Sequence, residues 1–182
     1  MVNPSIQKLK KIAKNLGIQT KQVPKINTVM YDGKTILYTH FGNSKATKHQ
    51  RMISNLAHEL AHYLVASPER RKEIDFGLGP GPESEKETKN LLGSNKSSKE
   101  ESEASLLGMI IENHVGHNPL SYTFQAHSWD SFQSVKDIPK YLISLEKKKL
   151  IVYGLNPKCL TVGPSFLSYQ LNMKTVEKLF AV

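Results

Sequence analysis

His58-Glu59-Leu60-Ala61-His62 places two histidines four residues apart with a glutamate after the first. On a helix, positions i and i+4 lie one above the other, so two imidazole nitrogens can meet a single metal ion. The glutamate then projects beside that metal, where a carboxylate can take a proton from water. The flanking residues supply the helix. Ile53, Leu56, Ala57, Leu60, Ala61 and Leu64 recur at i, i+3, i+4, i+7, i+8 and i+11, an apolar stripe of helical period. Pro68 ends it, because proline disfavours helical geometry in the residue before it. The plainer reading of the stretch is a solvated helix face that carries two histidines and a carboxylate.

Working outward, the chain of 182 residues suits one domain with an elaboration and can bury a substantial core. Its longest apolar run, 106–111 and broken by Gly108, is far below the roughly 20 residues that span a bilayer. Residues 1–11 are polar and basic without an apolar segment, so no secretory signal is expected. Cys159 has no second cysteine to pair with, which favours a reducing compartment, and the cytoplasm is the expected location. The net charge of +9 is uneven, with basic flanks around an acidic centre. Such a field steers acidic partners, protein or nucleic acid, although lysine-rich faces also serve plain solubility. Arginine is confined to Arg51, Arg70 and Arg71, which weakens a case for reading DNA base edges.

Ile6, Leu9, Ile12 and Leu16 form an amphipathic helix opened by Pro4-Ser5 and closed by Gly17. It reads as a docking helix, since it lacks the Trp or Phe of a membrane-surface helix. Thr28–Tyr31 and Thr35–Phe41 around Asp32-Gly33 predict a β-hairpin with a tight turn. Residues 67–98 read as a long polar loop, and 99–113 as a second helix packed through Leu106, Leu107, Met109, Ile110 and Ile111. Asp137 is expected to cap another helix with Pro139 in its first turn. Leu150–Tyr153 and Cys159–Val162 predict a second hairpin, and 175–180 a closing helix.

A catalytic zinc site needs three protein ligands and an open position. Val65 and Pro68 stand where a longer HExxHxxGxxH pattern would have glycine and histidine, so the third ligand comes from elsewhere. Glu100-Glu101-Ser102-Glu103, on the helix after the long loop, offers carboxylates. His114, His117, Tyr122 and His127 are candidates to stabilise an oxyanion, and spacing selects none of them.

HELAHYLVAS at 58–67, followed by the acidic Glu101-Ser102-Glu103-Ala104 ahead of Leu107, resembles the ImmA/IrrE-like zinc metallopeptidases over roughly residues 25–116. The resemblance implies a minimal gluzincin-like peptidase, with zinc on His58, His62 and Glu103 and with Glu59 as general base. It also implies a protein substrate, since several members of that family cut helix-turn-helix repressors. The chain departs from the family where Leu106-Leu107-Gly108-Met109 runs on into Ile110-Ile111 without proline, and in the length of the loop around Gly77–Pro82. Local physics also favours Glu103. Ser98 and Glu101 fit a capping box, whereas Glu103 shares a face with Leu106, Leu107 and Ile110 and points inward, where a zinc ion would supply the missing positive charge; the plainer reading is a surface pairing of Glu103 with a lysine.

The expected fold is therefore α+β: a zincin core with a small antiparallel sheet and active-site helices, plus a C-terminal α/β extension. Within a single domain, residues 1–24 are the N-terminal helix, 25–117 the metallopeptidase core and 118–182 the extension. The expected function is a zinc-dependent endopeptidase acting on a protein, without membrane association. The alternatives are a regulatory or DNA-binding protein, with 138–150 and a following hairpin as helix and wing, and a zinc-binding interaction domain without peptidase activity.

Overall fold

The computed structural model describes residues 3–23, 29–39, 47–78, 91–127, 132–153 and 165–179. Helix α1 (Pro4–Asn15) forms on its expected stripe. Asn3 Oδ1 accepts the Ser5 amide at 2.9 Å, satisfying a first-turn donor, and Ile6, Leu9 and Ile12 are buried. Three strands follow: β1 (Gln19–Gln22), β2 (Met30–Tyr31) and β3 (Thr35–Tyr38). β2 and β3 pair antiparallel as expected, with Tyr31 opposite Ile36. β1 adds to the other side of β3 in parallel, giving the order β1-β3-β2. Its sequence, Gln-Thr-Lys-Gln, has no apolar alternation to signal a strand, because β1 is a largely exposed edge. The β2–β3 turn has only Gly33 at positive φ, and Asp32 Oδ1 instead accepts the amides of Lys34 and Thr35 at 3.0 and 2.7 Å. Glycine is required at 33 twice over, since a Cβ there would lie 2.7 Å from the Lys72 carbonyl oxygen. Of the hairpin expected at 28–41, Thr28, His40 and Phe41 lie outside the described residues.

Helix α2 (Lys48–Val65) carries the HExxH stretch. Thr47 and Gln50 close a capping box at its start, Gln50 donating its amide to Thr47 Oγ1 at 3.2 Å and accepting the Thr47 amide at 2.8 Å. All six residues of its apolar stripe are buried. Ala66 turns extended ahead of Ser67-Pro68. The long polar connection contains two short 3-10 turns, Arg70–Lys72 and Ile74–Gly77, and its stretch 79–90 lies outside the described residues. Helix α3 (Ser94–His114) begins earlier than expected, with Gly93 at its N-cap. Ser98 is thus inside the helix, its carbonyl accepting the Ser102 hydroxyl at 3.0 Å, and the expected Ser98–Glu101 capping box does not form. Serine and asparagine lower helix propensity without forbidding the first turns of a long helix.

Beyond α3, α4 (Thr123–Ala126) precedes α5 (Phe132–Lys147). Asp137 and Pro139 sit within α5 rather than at its start; Pro139 is exposed, so the carbonyl left without a donor lies on the solvent side. β4 (Ile151–Tyr153) pairs antiparallel with β5 (Tyr169–Leu171), Ile151 opposite Leu171, and not with the expected 159–162, which lies outside the described residues. Helix α6 (Met173–Lys178) follows. Among the described residues the architecture is mixed α+β, mostly helical with two small sheets. One apolar cluster draws Leu9, Ile36, Leu60, Leu107, Leu145 and Phe166 together from five of these elements and their flanks. Among the described residues, no helix is long and apolar enough to cross a membrane.

The contact of α2 with α3 is central, and it depends on Gly108. A Cβ at 108 would stand 3.2 Å from His58 Cα and 3.3 Å from His58 N, both backbone atoms that cannot rotate away. Gly108→Ala gains about 1 kcal/mol of helix propensity but forces two helices apart, which costs about 1–3 kcal/mol. The expected net result in urea denaturation is a loss of stability of up to about 2 kcal/mol.

Candidate metal centre

His58 and His62 project from α2 toward one point, where α3 delivers Glu101. Glu101 Oε1 lies 2.9 Å from His58 Nε2 and Oε2 lies 3.1 Å from His62 Nε2; the two Nε2 atoms are 3.0 Å apart. The three residues can hold a metal ion together. The expectation that Glu103 is the third ligand is overturned by this geometry. Glu103 does point inward, at 1% exposure, but the cations that meet it are lysines: Lys148 donates to Oε2, Lys99 lies 3.7 Å from Oε1 one helix turn away, and the Ser144 hydroxyl donates to Oε1 at 2.6 Å. Burial direction was correctly read and the partner was not, because α5 brings Lys148 from 45 residues downstream. The residue missed was Glu101, and a signal for it existed. Ser105 and Gly108 follow it at i+4 and i+7, small residues that mark the face of α3 able to approach another backbone. Neighbouring Glu100 is occupied elsewhere, by a two-pronged pairing with the Arg70 guanidinium.

A ring stack orients His62. Its ring lies on Phe76 at 5.6 Å and 18°, and Phe76 lies on Tyr31 at 4.4 Å and 4°. Phe76 reaches that position through a bend in which Asp75 and Phe76 both take positive φ, 45° and 56°. Two consecutive non-glycine residues in the left-handed region are strained, and the surrounding contacts hold them there. Asp75 Oδ1 accepts the Tyr31 amide at 2.9 Å, and the Tyr31 hydroxyl donates to the Arg71 carbonyl at 2.8 Å. On the other flank, the His127 ring stands 5.1 Å from the His58 ring, with Nδ1 3.0 Å from Ser105 Oγ. Of the four downstream candidates, His127 is therefore the one in ring contact with the histidine pair. His117 is engaged with Glu112, and His40 lies outside the described residues.

The electrostatics divide the carboxylates. Burial pushes Glu59 up to about 7, against the pull of His58. Partial burial acts to raise Glu101 too, but hydrogen bonds from His58 and His62 outweigh it and hold the carboxyl well below its usual range. Burial, reinforced by His58, brings His127 down to about 4, so its ring is neutral near pH 7.

The donor set fits a cation such as zinc. A neutral imidazole carries one N–H and one lone pair. With both protons on Nε2, two N–H groups crowd each other at 3.0 Å, and the Nδ1 lone pairs, both buried, have no partner. With both protons on Nδ1, two lone pairs face a carboxylate across the same short distances. A cation among the three atoms relieves that second arrangement, and two imidazoles with one carboxylate are ligands zinc takes while keeping a position open. Glu101 is 52% exposed in its side chain, so the centre opens to solvent on that side. Comparisons of the chain with models of protein families, with curated proteins and with solved structures found no match.

Proposed function

We propose that this chain is a zinc-dependent endopeptidase with a zincin-like core, acting on a peptide bond of a protein substrate. The observation that carries the reading is the convergence of His58, His62 and Glu101 on one point, with the buried Glu59 carboxyl beside them. Zinc held by the three ligands would supply Lewis acidity, polarising the scissile carbonyl and making a water molecule easier to deprotonate. Glu59 takes that proton as the water oxygen bonds to the carbonyl carbon. It returns the proton to the departing nitrogen as the C–N bond breaks. Glu59 follows His58 on the helix turn that carries both histidines and is within electrostatic reach of His58 and Glu101, as a shuttle for this proton requires.

We assign to His127 the task of steadying the carbonyl oxygen, on its ring contact with His58. In the tautomer in which the Ser105 hydroxyl donates to Nδ1, the ring proton sits on Nε2 and is available as a donor without a net charge. His127→Phe is expected to lower kcat about 100-fold, the scale of losing one oxyanion donor, with zinc content unchanged. Loss of zinc from that variant would instead place His127 among the ligands.

The helix-turn-helix repressor is the substrate implied by the resemblance to ImmA/IrrE-like peptidases; the His58–His62 pattern with the glutamate-bearing α3 bears on the metal and leaves the substrate to experiment. A proteome-wide comparison of cleavage products between wild type and Glu59→Gln tests activity and substrate together. Equal product profiles from zinc-loaded wild type and variant would sink the peptidase reading. Salt-dependent DNA affinity in that event would favour the alternative in which α5 and the β4–β5 pair act as helix and wing.

A further inference from the structure

We propose that Glu112 is a positioning residue for the metal centre, its Oε1 accepting the Nδ1–H of His58 directly or through one water molecule. The inference rests on the metal-site reading and adds a group that the ligand set does not contain. Glu101, Ser105, Gly108 and Glu112 fall at i, i+4, i+7 and i+11, one face of α3. The first of these meets both histidines and the third abuts the His58 backbone, so the fourth lies one turn further along the same helix contact. Glu112 is fully buried. Its Oε2 is satisfied by His117 Nδ1 at 2.7 Å and by the Thr123 hydroxyl at 3.0 Å, while Oε1 is buried with no partner. His58 Nδ1 is likewise buried with no partner. One is an acceptor and the other, once Nε2 serves as a ligand, is a donor.

Burial pushes the Glu112 carboxyl up, and the His58 ring is near enough to act against that shift. Asp75 stands in the corresponding electrostatic relation to His62. A buried donor and a buried acceptor, carried on the two helices that build the site, are each costly alone and would be satisfied together. The pairing fixes the tautomer of His58 and holds its Nε2 toward Glu101 and His62, as outer carboxylates do for ligating histidines. His117 and Thr123 in turn hold Glu112, which ties the segment after α3 to the centre.

The test compares full-length wild type with Glu112→Gln, using zinc alone as the probe. Glutamine keeps the shape but cannot present acceptors both to His117 with Thr123 and to His58. Zinc dissociation constants, measured by competition with a chromophoric chelator, are expected to rise about 10- to 100-fold in the variant. The increase in melting temperature that zinc confers should shrink with it. A purely structural Glu112 would lower the melting temperature of the zinc-free and zinc-loaded forms alike and leave the dissociation constant within about twofold, and that result overturns the proposal. Nitrogen-15 spectra of zinc-loaded wild type give a reading that needs no variant. The His58 Nδ1 proton is expected far downfield and slow to exchange, and exchange at the rate of an exposed imidazole overturns the proposal even if Glu112→Gln fails to fold. Wild type that binds no zinc overturns the metal-site reading itself, an outcome distinct from both.

Discussion

Glu101→Ala is expected to empty the metal centre. Protein purified without added metal should carry about one zinc per chain in wild type and close to none in the variant, with affinity weakened at least about 100-fold. Two imidazoles without a carboxylate leave the ion short of both a ligand and a countercharge. Glu103→Ala is the control, and it should keep the metal. Its effect is on stability, because it leaves the Ser144 hydroxyl and the Lys148 ammonium without their acceptor. Breaking a fully buried pair costs roughly 3–5 kcal/mol. Lys148 is 38% exposed and can regain water, so about 1–3 kcal/mol is the expected loss. Elemental analysis and urea denaturation on the two variants separate the roles, and metal loss from Glu103→Ala with retention in Glu101→Ala would reverse the assignment.

The second large effect concerns Glu59. Glu59→Gln should retain zinc and lose peptide cleavage by about 10²- to 10⁴-fold, since glutamine cannot accept the water proton. The same substitution has a pH signature in the metal-free protein. Glu59 is held at about 7 in the folded chain against an ordinary value of 4.5. As pH rises through that window the unfolded chain releases this proton first, so wild type loses stability relative to Glu59→Gln, with little further change above about pH 7. The divergence is on the order of 2–3 kcal/mol. Parallel stability curves for the two proteins between pH 4.5 and 7 would show that burial does not raise this carboxyl.

The body and end of helix α2 were legible, because its period, its stripe and its terminating proline are all local signals; its start at Lys48, set by the Thr47–Gln50 capping box, was not assigned. The β2–β3 pairing was legible for the same reason, from Asp32-Gly33 between alternating residues. The start of α3 was not, since Ser94–Ser98 has loop-like composition yet adds turns to a helix whose later residues pack against α2 and α5. Nor was β1, which has no apolar side of its own and becomes a strand by bonding to β3.

The same division runs through the site. His58, Glu59 and His62 could be placed from sequence because one helix turn sets their relation, and no other part of the chain is needed. The inward direction of Glu103 was equally a matter of one helix face. Which carboxylate faces the histidines depends on how α3 crosses α2 at Gly108, and what Glu103 meets instead depends on where α5 puts Lys148. Which of the four downstream candidates lies against His58 was decided likewise: His127 is in ring contact with it. Helix periodicity orders side chains around a single axis, whereas the meeting of two axes is fixed by packing across the whole core.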